Sequence, residues 1–172
     1  MKFELKELNN EYLIQFKKDM QEAFQYGYES KFGKCEDVIL PEEDIDRSLN
    51  TKGAMCYVAY LNNIPCGGCV VIIDEKTQNN SLDFLYVKVG SQSKGIGLKI
   101  WKEIEKIYMN TKIWHTCTPY FDTRNIHFYV NKCHFKIIEY FNEYHREKDI
   151  SFDEYNTAPD HDEGMFEFEK EM

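Results

Sequence analysis

The stretch SQSKGIGLKI, residues 91–100, places Gly95 and Gly97 one residue apart, after an apolar run and before a helical pattern. Glycine at such a turn lets the backbone come close to an anion, because no Cβ intervenes. The first N–H groups of a helix lack intrahelical acceptors and point the same way, and the helix dipole adds partial positive charge there. The chemistry on offer is phosphate binding, and three ligand types compete for it. A Walker loop needs Gly-Lys-Ser/Thr at its end, but Gly95, correctly spaced from Gly90, is followed by Ile96 and Gly97. A dinucleotide fingerprint needs a third glycine where Ile100 stands, and it belongs in a first strand–helix unit rather than in this later one. A third reading rests on the residues that flank the loop on both sides.

A second candidate is CGGC, residues 66–69. Zinc binding would need a second ligand pair at suitable spacing, and none stands out. A redox pair belongs at a helix N-terminus, whereas Cys66 and Cys69 lie in the strand-like run IPCGGCVVIID. The six cysteines are expected to be reduced thiols, since most fall inside apolar strand or helix patterns and nothing marks secretion.

The elements that must position these residues follow from periodicity. MKFELKEL alternates as a first strand, and Leu13, Phe16, Met20, Ala23 and Phe24 recur at helical spacing from Glu11 until Gly27 ends the helix. Residues 28–40 read as a loop. PEEDIDRSLN, residues 41–50, is a short helix with Pro41 first and acids in its first turn. Residues 54–74 read as two strands joined at Asn62-Asn63, and SLDFLYVKV, residues 81–89, as a third. Ile100, Trp101, Ile104, Ile107 and Tyr108 make the apolar stripe of a helix starting at Ile96. Residues 112–118 are a strand closed by Pro119, and Asp122 or Thr123 caps a helix through about Lys132. Residues 135–145 and 164–172 read as strands, separated by a polar, acidic loop over 146–163. The order β, α, α, β, β, β, α, β, α, β, β predicts one α+β domain, α/β-like in its middle, spanning residues 1–172 around a mixed sheet.

The net charge of −9 argues against binding a nucleic-acid backbone over a broad surface. No apolar run is long enough for a membrane span, and the N-terminus has no signal-peptide core. A cytoplasmic protein with no nucleic acid, membrane or metal partner is the expectation.

LYVKVGSQSKGIG, residues 85–97, resembles the coenzyme A loop of the GNAT family of N-acetyltransferases. The family pattern is a strand ending near Leu-x-Val, then Gln/Arg-x-x-Gly-x-Gly/Ala opening a helix. Here that is Leu85-Tyr86-Val87 and Gln92-Ser93-Lys94-Gly95-Ile96-Gly97. RNIHFYVNKCHF, residues 124–135, resembles the family's later helix, with Asn125 and Tyr129 matching and His134 standing where a glycine is usual. The resemblance implies a mostly antiparallel sheet of about seven strands flanked by about four helices.

It also implies acetyl-CoA as cosubstrate. The pantetheine arm is expected along the backbone from Leu85 through Val87 to Val89, and the pyrophosphate on the amides from Gln92 to Leu98, where Lys88, Lys94 and Lys99 cluster. Asn125 joins the cofactor-binding set. Direct transfer to an amine needs a base for the amine, a donor for the developing oxyanion and an acid for the leaving thiolate. Tyr129 is the candidate acid, because a phenol pKa of about 10 lies near a thiol's of about 8.5. Asp83 is the candidate base, on a strand face it shares with Leu85 and Val87 if alternation is regular. His115 is the runner-up. The acids in residues 41–48 and in the 146–163 loop suggest a small cationic amine as acceptor. Acetylation of a protein N-terminus or lysine, and a non-catalytic coenzyme A-binding module, remain alternatives, and a homodimer is an open assembly.

Overall fold

A computed structural model describes residues 1–146 and 164–172, and they form two compact units, Met1–Thr111 and Lys112–Met172. In the first unit, β1 (Phe3–Glu7), β2 (Ala54–Leu61), β3 (Ile64–Ile72) and β4 (Asn79–Val87) pair side by side in that order, all antiparallel. The β2–β3 turn is at Asn62 and Asn63, both with positive φ (52° and 65°), as a tight two-residue hairpin requires. Helices α1 (Leu13–Phe32), α2 (Glu42–Leu49) and α3 (Ile96–Ile107) complete the unit.

Phe16 and Met20 of α1 and Ile45 of α2 are fully buried against Val58, Val70 and Tyr86 on one sheet face. Ile96, Ile100, Trp101 and Ile104 form the buried stripe of α3, which packs against β3 and β4. The glycines of CGGC make both approaches possible. A Cβ on Gly68 would lie 2.8 Å from the Phe16 ring, and one on Gly67 would lie 2.5 Å from the Tyr86 carbonyl oxygen and 3.1 Å from Ile100. The flanking cysteines are buried and unbridged. Burial pushes both thiols up, the opposite of what a reactive pair needs.

Helix α1 runs past Gly27 to Phe32 and stops at Gly33, where φ is 86°. An interior glycine costs a helix roughly 1 kcal/mol, but here tertiary packing overrides it. Tyr28 is buried one residue later and its ring meets Phe32 at 4.8 Å. Five residues expected in the loop are therefore helical.

In the second unit, β5 (Ile113–Pro119), β7 (Met165–Glu171) and β6 (Lys136–Phe141) pair antiparallel with β7 in the middle. Asp122 caps α4 (Thr123–His127) by accepting from the Asn125 amide. The helix expected through Lys132 then widens into a π-helical turn over Phe128–Lys132, closed by the Cys133 amide on the Phe128 carbonyl. Among the described residues the seven strands and four α-helices follow the expected α+β order. No described helix is long and apolar enough to cross a membrane.

His134 follows the π-helical turn with φ 65°, a left-handed conformation that explains why glycine suits this position. Holding a non-glycine residue there costs about 1–2 kcal/mol, partly offset by the smaller entropy a histidine loses on folding. His134→Gly is expected to stabilise the protein by roughly 0.5–1 kcal/mol, read by denaturant unfolding. Unchanged or lower stability would contradict this account of the turn.

Candidate functional site

Strand β4 ends at Val87, and the chain turns sharply into α3. The Lys88 amide bonds the Cys66 carbonyl on β3, and the Ser91 amide closes the turn on the Lys88 carbonyl. The Gln92 side chain accepts from the Gly90 amide at 2.7 Å, so its carboxamide braces the loop from inside. Gly90, Ser93 and Gly95 have positive φ (88°, 63° and 69°). A Cβ on Gly95 would meet nothing within 4 Å, so the requirement there is conformational rather than one of space. The first turn-closing bond of α3 runs from the Lys99 amide to the Gly95 carbonyl.

The amides of residues 92–98 consequently meet no protein acceptor among the described residues. Left-handed residues interrupting a right-handed turn make successive N–H groups converge on an anion, and the α3 dipole adds to that field. These residues fit a pyrophosphate. Ser93, Lys94 and Gly95 are exposed, Gln92, Gly97 and Leu98 are half-buried, and Ile96 anchors the helix in the core.

Two expectations change here. Val89 lies in the turn, exposed, and not in the strand. Hydrogen-bonded pairing along β4 ends with Leu85 opposite Cys69 and Val87 opposite Gly67. Lys88 does not join Lys94 and Lys99 as a free cation. Its ammonium lies 3.1 Å from Asp19, a carboxylate on the buried side of α1 that also accepts from Tyr12 and from Gln15.

Asp83 sits in a β-bulge. The β3–β4 register passes from Val70–Phe84 to Val71–Leu82, leaving Asp83 as the extra residue. Regular alternation would put it with Leu85 and Val87, but the bulge breaks the alternation. Its carboxylate instead accepts from the buried Ser48 hydroxyl of α2 at 2.6 Å, on the face where Ile45, Phe16 and Tyr86 pack. Water reaches the residue, yet surrounding atoms crowd the carboxyl, and this desolvation raises its pKa above the ordinary value while the Ser48 bond pulls it down.

In the second unit, Tyr129 is buried in the π-helical turn among Phe128, Phe135 and Phe168, with ring centroids 5.3, 5.8 and 5.7 Å away. Single π-helical turns recur at functional sites. Asn125 is half-buried on α4. On the sheet face away from Tyr129, His115 lies between two carboxylates, Nδ1 at 3.5 Å from Glu167 and Nε2 at 3.9 Å from Glu169. That geometry orients His115 as a member of an acidic strip.

Ser48 and Asp19 escaped the sequence reading, though each left a signal. Ser48 stands one helical turn after Ile45, on the buried face of α2, and Asp19 interrupts the apolar stripe of Phe16 and Met20. A polar residue at a core position needs a partner, and each has one.

The chain can now be set beside known proteins. The model of the acetyltransferase (GNAT) family matches residues 13–135. The uncharacterized protein YrkN of Bacillus subtilis is 47% identical over 134 residues, covering 77% of this chain and 72% of YrkN. A GNAT family acetyltransferase from Elizabethkingia anophelis, solved with acetyl-CoA bound, shares the fold with a TM-score of 0.72 at 17% identity, over 99% of this chain and 98% of that one. The PaiA N-acetyltransferase from Thermoplasma acidophilum, solved with coenzyme A, gives a TM-score of 0.69 at 19% identity over the whole of both chains. On the family match and the relation to YrkN, the chain belongs to the acetyltransferase (GNAT) family and is an N-acetyltransferase.

Proposed function

We propose that the protein moves the acetyl group of acetyl-CoA directly to the primary amine of a small cationic acceptor. The observation that carries the cofactor half is the run of amides from Gln92 to Leu98 at the start of α3, which meet no protein acceptor among the described residues. Backbone N–H groups there hold the pyrophosphate, Leu85 and Val87 offer backbone to the pantetheine arm, and Asn125 completes the set. Val89, in the turn, serves by its backbone alone. The cofactor supplies an activated thioester carbonyl.

This chain's residues then handle protons. Asp83 takes the proton that the acceptor nitrogen sheds as the new C–N bond forms. A backbone N–H near Leu85 to Val87 receives the negative charge that builds on the carbonyl oxygen. Tyr129 gives its hydroxyl proton to the sulfur as the C–S bond breaks, and solvent exchange restores both groups. No metal enters this scheme. Tyr129→Phe keeps the ring's packing and removes only the hydroxyl. It is expected to lower kcat by about 10²–10⁴-fold with coenzyme A affinity nearly unchanged. Full kcat in a variant whose chemical step limits turnover would remove Tyr129 from the mechanism.

The acceptor's charge is argued from carboxylates gathered on one sheet face. The acids of α2 do not qualify, because Glu42 and Asp46 pair with Lys17, and Asp44 pairs with Arg47. The acidic stretch over 147–163 lies outside the described residues. Glu167 and Glu169 flank His115, half-buried on one sheet face, with Glu139 opposite Glu167 on the next strand. Such a strip attracts cations, more strongly at low salt. A panel of amines with a free-thiol readout should therefore favour a diamine over the amino alcohol of equal length by about tenfold in kcat/KM at low salt, with the gap closing as salt rises. Equal rates for both at every ionic strength would defeat the cationic reading.

A further inference from the structure

We propose that the Ser48 hydroxyl is a positioning group for the base, fixing one carboxylate oxygen of Asp83 so that the other takes the acceptor's proton. The inference rests on the reading of Asp83 as that base. Its own support is geometric and internal to the first unit. Ser48 donates to Oδ2 at 2.6 Å, within the short range of a hydrogen bond to an ionised acceptor. The bond commits Oδ2 and leaves Oδ1 with its lone pairs available.

The hydroxyl cannot wander. Ser48 is buried, at 6% exposure, and α2 is pinned along the turns that lead up to it. Ile45 sits in the core one turn earlier, and Lys17 of α1 holds Glu42 and Asp46. The carboxylate end is fixed too, because the bulge takes Asp83 out of the strand register and turns it toward α2. A bulge that aims one side chain at a helix, and a buried serine on that helix that meets it, have no packing purpose that alanine and a regular strand would not serve better.

Among the described residues, Ser48 is the side chain that hydrogen-bonds this carboxylate. Across the strand pair lie Val70 and Val71, and Phe84 beside it packs on Phe24 of α1. Of the charges along α2, Asp44 and Arg47 are turned on each other at 3.4 Å, and Asp46 on Lys17. Desolvation by the atoms packed around the carboxyl and the Ser48 bond act on its protonation in opposite directions. Desolvation favours the acid and the hydroxyl favours the carboxylate. Removing the hydroxyl must therefore raise the pKa and move the loss of activity to higher pH.

The test uses the full-length protein as wild type, Ser48→Ala and Asp83→Asn, with kcat/KM profiled against pH and the Asp83 carboxyl followed by ¹³C NMR. Ser48→Ala is expected to move the acid limb up by about one pH unit, shift the Asp83 titration in step, and lower the plateau several-fold. Asp83→Asn is expected to abolish that limb and lose at least about 10²-fold. If Asp83→Asn behaves so while Ser48→Ala leaves both the limb and the NMR titration in place, Ser48 does not position the base and the proposal is overturned. If Asp83→Asn keeps the wild-type rate and profile, the reading of Asp83 as base fails, and a shifted NMR titration in Ser48→Ala would then mark a structural bond only.

Discussion

The site depends on an unmet demand for hydrogen bonds at the turn from β4 into α3. A helix start always leaves N–H groups over, and proteins usually satisfy them with a serine, threonine or aspartate cap. Here the cap position is Gly95, in a left-handed conformation with no side chain to offer. The side-chain acceptor upstream, Gln92, is turned back onto the Gly90 amide. The loop thus keeps its own shape while leaving its donors aimed outward. Ser93 is held at positive φ in the same turn, a conformation costing a non-glycine residue about 1 kcal/mol or more.

Such a loop is useful only if both of its ends are fixed. Ile96, Ile100 and Trp101 fix the helix end by burial. Lys88 fixes the strand end. Its backbone bonds β3 and closes the turn, and its ammonium meets Asp19 under α1. Asp19 is a buried carboxylate with three partners, and taking one away would leave a charge in a dry place, which typically costs about 3–5 kcal/mol. Burial and this carboxylate together push the Tyr12 hydroxyl well above the ordinary phenol range, so it stays a donor. Strand β4 is held a second time at Ser48–Asp83. Helices α1 and α2 thus each grip the strand by a carboxylate bond, one at the loop and one at the bulge.

Much of this was legible in the sequence, and what was missed shares one cause. The order of elements, the Asn62-Asn63 hairpin and the start of α3 are written in local spacing and turn chemistry. The run of α1 through Gly27 was not, because burial of Tyr28 decides it from outside the segment. Alternation put Asp83 on the wrong face because period-two patterning carries no mark of an inserted residue. The same holds for the widening of the helix at Tyr129, which depends on how Phe135 and Phe168 meet that ring. The glycine-bearing loop itself was found by its spacing, whereas its supports, Asp19 and Ser48, are bonds between residues far apart in the chain.

The claim on which the account rests is that the backbone amides of residues 92–98 receive the cofactor's pyrophosphate. The most direct measurement is a titration of ¹⁵N-labelled protein with coenzyme A, followed amide by amide. The account predicts that the largest changes fall on residues 92–98, that those amides gain protection from hydrogen exchange, and that dephosphorylated pantetheine leaves them nearly unmoved. Saturable binding of coenzyme A with these amides unperturbed, and the changes gathered elsewhere, would contradict it.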